Sequence, residues 1–235
     1  MPDISQEKIN SYWDSRARAY HHYQTRSTRS VEEQRLWQNV LSATLQPEFL
    51  VADMGTGSGY LATTLAHLDH QVVGVDASVN MLRHMPRHLK ISPVAGDIHQ
   101  PPLPKRKFSA ITSRYLLWTL HDPVTALKNW RELLKTDGTI IAFDALWFPN
   151  GDGISPQVDS TAGADAFIQA YTRQTLEALP LALTSQVTDY LSAFEAAGFQ
   201  DIGLRWLPEI TELDVKYGVS PGHVIRLQFM ITAKP

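Results

Sequence analysis

Three glycines at alternate positions, bracketed by two carboxylates, are the residues of this chain best placed to do chemistry. Val51-Ala52-Asp53-Met54-Gly55-Thr56-Gly57-Ser58-Gly59 reads as a short apolar strand running into a tight turn. Val72-Val73-Gly74-Val75-Asp76 reads as a second apolar strand that ends on a carboxylate. Glycines let a backbone approach a ligand closely, and an acid at the tip of the second strand can accept hydrogen bonds from ribose hydroxyls. The pair therefore predicts a site for an adenosine-containing ligand. A dinucleotide fingerprint is G-x-G-x-x-G, with pyrophosphate on the helix N-terminus. Here the spacing is G-x-G-x-G, and Asp53 stands two residues before Gly55. An acid at that point opposes a pyrophosphate and suits a ligand carrying an amino group and a sulfonium.

Other reactive side chains are scattered. Candidate bases are His121, the pair His21 and His22, and Asp144. A histidine accepts a proton near neutral pH, and the competing reading for each is a solvated or hydrogen-bonded bystander. Asp144, at the end of an apolar strand, suits either an acceptor site or the capping of a loop. Trp118, Trp147 and Phe148 can line an apolar pocket or pack beneath an insertion. The basic stretches 83–90 and 105–107 lack interleaved aromatics and read as solvated faces. Paired His and Asp spacings typical of a metal site are absent, so no metal is predicted.

Asp53-x-Gly55-Thr56-Gly57-Ser58-Gly59 resembles motif I of the class I S-adenosylmethionine-dependent methyltransferases, and three further landmarks follow in order. Asp76 stands where that family's ribose-binding acid stands. Gly96-Asp97-Ile98 stands where its adenine-flanking acid and apolar residue follow the third strand. Leu133-Leu134-Lys135-Thr136-Asp137-Gly138-Thr139 resembles its turn before strand five, with Thr136 and Asp137 replacing Pro and Gly. Together these cover roughly residues 10 to 145. The resemblance implies a Rossmann-like class I methyltransferase fold: a seven-stranded, mostly parallel sheet with an antiparallel last strand. It also implies a helical lid at the N-terminus and a cap insertion after strand five. It implies S-adenosylmethionine as cofactor, leaving as S-adenosylhomocysteine. The cofactor positions carried over are Tyr20, Asp53, Gly55, Thr56, Gly57, Gly59, Asp76, Ala77, Met81, Asp97, Ile98, Ser113 and Arg114, with Tyr20 as open to being an ordinary core residue as to touching cofactor or acceptor. For the acceptor itself the candidates are Tyr12, His22, Trp118, Asp144 and Trp147, with His121 as base.

In this fold the loop 113–121 lies beside the methyl group. Ser113-Arg114-Tyr115-Leu116 is not the N/D-P-P-Y/F/W motif that often holds a planar nitrogen of a nucleic-acid base or a protein glutamine. Together with a formal charge of −3, this moves the expected acceptor towards a small metabolite with an oxygen or nitrogen nucleophile. That charge offers no global attraction for nucleic acid or an anionic membrane. Two rivals stay open. One is a non-catalytic subunit that binds the cofactor to sense it or to activate a partner. The other is a nicotinamide-dependent oxidoreductase, although none of the tyrosines has a lysine four residues on, as the short-chain type requires. Aminopropyl transfer is a weaker third reading, for which an acidic loop after strand four is missing.

The elements that must position these residues alternate along the chain. Helices are expected at about 5–20 and 30–45, forming the lid (1–45). Then come strand 49–54, a helix from Gly59, strand 71–75, a short helix capped by Ser78, strand 91–95 and strand 108–113. Asp122-Pro123 starts the next helix, with Asp as N-cap and Pro at N1, and Asp137-Gly138 turns it into strand 139–144. Such alternation implies parallel strands with right-handed crossovers and ligands beyond their carboxyl ends. After the cofactor-binding core (46–144), residues 145–187 break the pattern. They begin irregularly, through Gly151, Gly153, Pro156 and Gly163, and continue as a helix from Ala164 to Leu179. A helix 187–197 stopped by Gly198 and strands near 199–206 and 224–233 form the C-terminal part (188–235) of what is expected to be a single domain, 1–235. The resemblance makes those two strands an antiparallel pair at the sheet edge. The chain has no cysteine, which excludes disulfides, thiolate metal sites and a cysteine nucleophile. It shows no apolar run near the roughly 18 residues of a spanning helix, and its first residues lack the features of a signal peptide. A cytoplasmic monomer or homodimer acting on a small molecule is the expectation.

Overall fold

The computed structural model describes residues 4–25, 27–151, 167, 169–219 and 224–235. Seven strands form one sheet in the order β3-β2-β1-β4-β5-β7-β6. These are β1 (Leu50–Met54), β2 (Gln71–Asp76), β3 (Ile91–Ala95), β4 (Phe108–Arg114), β5 (Leu134–Ala145), β6 (Gln200–Trp206) and β7 (Gln228–Lys234). The first five run parallel, with Asp53 beside Gly74 on one side and Thr112 on the other. β7 is antiparallel to both β5 and β6. The sheet is the Rossmann-like one the sequence implied.

Its core follows the two-residue period of a strand. Ile140 and Ala142 of β5 face one apolar cluster with Trp130, Tyr190 and Phe194, while Ile141 and Phe143 face another with Trp37, Leu65 and Ile210. Helices α5 (Pro123–Leu133) and α7 (Val187–Ala196) supply the first cluster; α2 (Ser27–Ser42), α3 (Tyr60–Ala66) and α8 (Pro208–Tyr217) supply the second. The Asp122 carboxylate accepts from Thr125 N at 2.9 Å and Pro123 opens α5, as its sequence predicted. Ser78 likewise caps the short α4 (Val79–Leu82).

Several boundaries differ from the sequence reading. β5 starts at Leu134, not 139, because Leu134 already pairs with Phe108 ahead of an irregular register. The helix expected over 164–179 is interrupted: Thr172 is extended, with ψ 160°, and its side chain caps α6 (Arg173–Glu177). The Gly153, Pro156, Gly163 and Ala164 part of that expectation lies outside the described residues. α8 was not anticipated, although Pro208 at its first turn is a start signal. α1 (Ile4–Gln24) is longer than expected, and it is no detached lid. Its Ile9, Tyr12 and Ala17 are buried, and Ile9 and Tyr12 belong to the main core. Among the described residues, no helix is long and apolar enough to cross a membrane.

Candidate functional site

The carboxyl ends of β1, β2, β3 and β4 open onto a cleft of about 230 Å³, roofed by α1. Its floor is the turn after β1. Gly55 and Gly57 have φ of +64° and +57°, which side chains with a Cβ rarely adopt. A Cβ at Gly55 would lie 2.8 Å from the Leu116 methyls, whereas one at Gly57 would meet only Tyr20, at 3.9 Å. Both glycines are called for by their backbone angle, and the second also leaves bare backbone facing the cleft. Asp76, at the tip of β2, accepts from Gly57 N and from Ser78 N, both at 2.8 Å. Burial raises its pKa, and those two N–H donors oppose the rise.

Asp53 borders a smaller adjoining cavity of about 30 Å³, shared with Thr56, Tyr20, Gln24 and Arg114. That is room for about one water or one small polar group. Thr112 Oγ1 donates to Asp53 Oδ1 at 2.7 Å. Asp53 Oδ2 and Thr56 Oγ1 are buried without a hydrogen-bond partner among the described residues. Burial lifts the Asp53 carboxyl to about 6.

At the β3 end, Asp97 and Ile98 reach the wall together with His99. Asp97 is turned back on the loop, accepting from His99 N at 2.9 Å. His99 Nδ1 sits 3.3 Å from Asp97 Oδ1, and its Nε2 is buried and unpaired among the described residues. Burial first, then the neighbouring His121, lowers the His99 pKa against the pull of Asp97. At the β4 end, the Arg114 guanidinium lies 4.4 Å from the Tyr60 ring, 4.7 Å from Tyr115 and 4.0 Å from a Glu33 oxygen. Tyr115, at φ +57°, donates to Gln228 Oε1 at 2.5 Å, and Gln228 Nε2 donates to Asp214.

Of the sequence candidates, the wall of the main cleft includes Tyr20, Gly55, Gly57, Asp76, Ala77, Met81, Asp97, Ile98 and Arg114, with Trp118 and Trp147. Asp53 and Thr56 face the smaller cavity. The others stand elsewhere. Gly59 starts α3 and packs against Met85. Ser113 is buried within β4, in register with Met54. Tyr12 is buried edge-on against Trp13, Phe167 and Tyr171, because its stripe of α1 faces the core. His22 is exposed on the surface of α1. His121 packs behind His99, ring centroids 4.1 Å apart, with Nδ1 3.1 Å from Gln6 Oε1. Asp144 is buried behind Trp147, accepting from its Nε1 at 2.5 Å and from Ala145 N at 3.0 Å. Burial drives the Asp144 carboxyl up to about 7, against these bonds and those from the N–H groups of Trp118 and Leu117. Its position is that of a residue fastening the loop.

Sequence reasoning missed His99, Glu33, Tyr115, Asp214, Arg226 and Gln228, all on the wall. His99 had a local signal: an Asp bonding the backbone two residues on is a known turn former. Asp214 and Gln228 had none, since their pairing depends on how α8 returns to β7.

α1 is fastened at both ends of the cleft. The Asp14 carboxylate accepts from Ser78 Oγ at 2.6 Å, Asn80 Nδ2 at 2.7 Å and Asn80 N at 3.2 Å. Trp13 Nε1 donates to Tyr171 OH at 2.8 Å, and Ser58 Oγ donates to Gln24 Oε1 at 3.1 Å.

Comparison with known proteins agrees with this arrangement. Residues 52–142 match the family model described as a methyltransferase domain. A demethylmenaquinone methyltransferase of Thermotoga maritima is 32% identical over 101 residues, covering 41% of this chain and 43% of that protein. A Mycobacterium tuberculosis relative carrying the name of an S-adenosylmethionine-dependent methyltransferase is 24% identical over 184 residues, covering 77% of this chain and 59% of that one. The chain thus spans about half the length of these two curated relatives. Among solved structures, an S-adenosylmethionine-dependent methyltransferase from Mesorhizobium loti superposes with a TM-score of 0.59 at 16% identity, over 87% of this chain and 98% of that one.

Proposed function

We propose that this chain, whose residues 52–142 match a methyltransferase domain, is a class I S-adenosylmethionine-dependent methyltransferase that moves a methyl group from S-adenosylmethionine to an oxygen or nitrogen of a small metabolite. The observation that carries this reading is the Asp76 carboxylate at the tip of β2, bonded to the open glycine backbone at Gly57. The residues present fit the cofactor. The buried Asp53 carboxylate, with Thr56 and Thr112 beside it, borders a cavity with room for a small polar group such as an amine. When bound, S-adenosylmethionine supplies an electrophilic methyl on a sulfonium, so the protein chiefly supplies proximity, orientation and exclusion of water.

Asp76 accepts the ribose hydroxyls, while Ala77, Met81, Asp97 and Ile98 hold the adenine, with His99 as an added partner. Arg114, steadied by Glu33 and Tyr60, faces the carboxylate of the methionine end, and Tyr20 closes over it. α1 is tied across both ends of the cleft through Asp14 and Gln24. Trp118 and Trp147, with Phe148 and Phe167 from the region after β5, form the acceptor side. The acidic balance of the chain offers no field to draw nucleic acid, in keeping with a small acceptor and a cytoplasmic setting.

The cofactor assignment has a direct test. A ligand that binds only the folded state raises the melting temperature by mass action. S-Adenosylmethionine and S-adenosylhomocysteine are expected to do so, and NAD and NADP are not. An equal shift with NAD refutes the reading.

His121, a base candidate by sequence, does not reach the wall. His121→Ala is therefore expected to change kcat by less than about threefold, against the roughly 10²–10⁴-fold of a lost general base. A hundredfold drop with unchanged affinity for S-adenosylhomocysteine would return the base to His121.

A further inference from the structure

We infer that the acceptor side of the cleft is a slot for a planar aromatic ring bearing an oxygen, and that this oxygen accepts a hydrogen bond from the Trp118 indole. The inference rests on the methyltransferase reading above and deepens it to a substrate class.

Three tryptophans reach the wall: Trp13, Trp118 and Trp147. Two have spent their N–H groups on the protein, Trp13 on Tyr171 OH and Trp147 on Asp144. Trp118 is only 5% exposed, yet its Nε1 has no hydrogen-bond partner among the described residues. Trp37 Nε1 shares that deficit, but Trp37 lies in the core against Phe143, away from the wall. Buried polar groups are almost always paired, so a lone donor on the wall of a cleft marks a place for a ligand's acceptor atom. An indole N–H only donates. It therefore selects an oxygen with a lone pair and is of no use to a protonated amine.

The surroundings choose the ring. Trp118 lies 5.4 Å from Phe148, 5.0 Å from Tyr171 and 6.1 Å from Trp147, and Phe148 lies 6.0 Å from Phe167. These are offset and tilted contacts of the kind aromatic rings prefer, and a further flat ring extends the set. The slot also abuts the cofactor side. Leu116, two residues before Trp118, lies on the wall and packs directly over Gly55.

The test is calorimetry on the full chain saturated with S-adenosylhomocysteine, using 2-naphthol, naphthalene and phenyltrimethylammonium as probes. The wild type is expected to bind 2-naphthol more tightly than the other two. Trp118→Phe keeps a ring and removes the donor. It is expected to weaken 2-naphthol about fivefold more than it weakens naphthalene, the worth of one neutral hydrogen bond, while S-adenosylhomocysteine still binds. Equal 2-naphthol affinity in the two proteins overturns the inference. So does a preference for phenyltrimethylammonium, or no binding of 2-naphthol by protein that has bound S-adenosylhomocysteine. Failure to bind S-adenosylhomocysteine at all strikes the methyltransferase reading itself and takes the slot with it.

Discussion

Asp76→Ala is expected to weaken S-adenosylhomocysteine binding by about 10²-fold or more while leaving a folded protein. Hydrogen bonds to a charged group are worth about 1.5–3 kcal/mol each, and two ribose hydroxyls give two of them. The structure adds a second loss. Asp76 also accepts from Gly57 N and Ser78 N, so it joins the glycine turn to the cap of α4. Without it, two N–H donors on the neighbouring turns after β1 and β2 lose the group that sets their spacing. Calorimetry against the wild type checks the affinity, and circular dichroism checks the fold. Unchanged affinity in a folded variant would remove Asp76 from the cofactor site.

Asp144→Asn is expected to stabilise the protein, and to do so far more at pH 8 than at pH 5. Burial raises the folded pKa of Asp144 to about 7, against about 3.9 when unfolded. A raised acid pKa means the native state holds more protons than the unfolded state between those values. Stability therefore falls as pH climbs from about 4 to about 7, then levels off. With the group only 1% exposed, the difference corresponds to about 4 kcal/mol at pH 8 and about 1.5 kcal/mol at pH 5. Asparagine keeps an oxygen for Trp147 Nε1 and Ala145 N, turns its NH2 towards the Trp118 and Leu117 N–H groups at a cost that does not vary with pH, and has nothing to ionise. The readout is the difference in unfolding free energy between wild type and variant at the two pH values. A difference that does not change with pH would show that Asp144 is not held near neutrality by burial.

The nearest-neighbour parts of the fold were legible. The alternation of strand and helix, the caps at Ser78 and Asp122, and the glycine turn each depend on a few adjacent residues and came out as read. Asp53, Gly55, Asp76 and Asp97 were legible for the same reason: strand ends and turns fix where they point. What stayed hidden depends on contacts between distant segments. Nothing near His121 says that its ring will stack on His99, or that Gln6 will take its Nδ1. Tyr12 and Trp13 are neighbours on one helix, yet one is core and the other is wall. The difference is set by where Tyr171 arrives, from more than 150 residues away. α8 was missed because its apolar stripe is short and its partner strand, β7, comes after it. Leu134 joined β5 early because Phe108 offered it a partner, which outweighed the turn chemistry of Asp137-Gly138.

α1 combines two duties that many proteins keep on separate segments. Ile9 and Tyr12 are stitched into the hydrophobic interior, while Trp13, Asp14 and Gln24 tie the same helix to both rims of the cleft. Such a helix cannot swing aside as a hinged flap without exposing apolar side chains. Lifting α1 off the cleft would therefore also uncover Ile9 and Tyr12, so the roof of the site and the interior of the molecule are one structural unit.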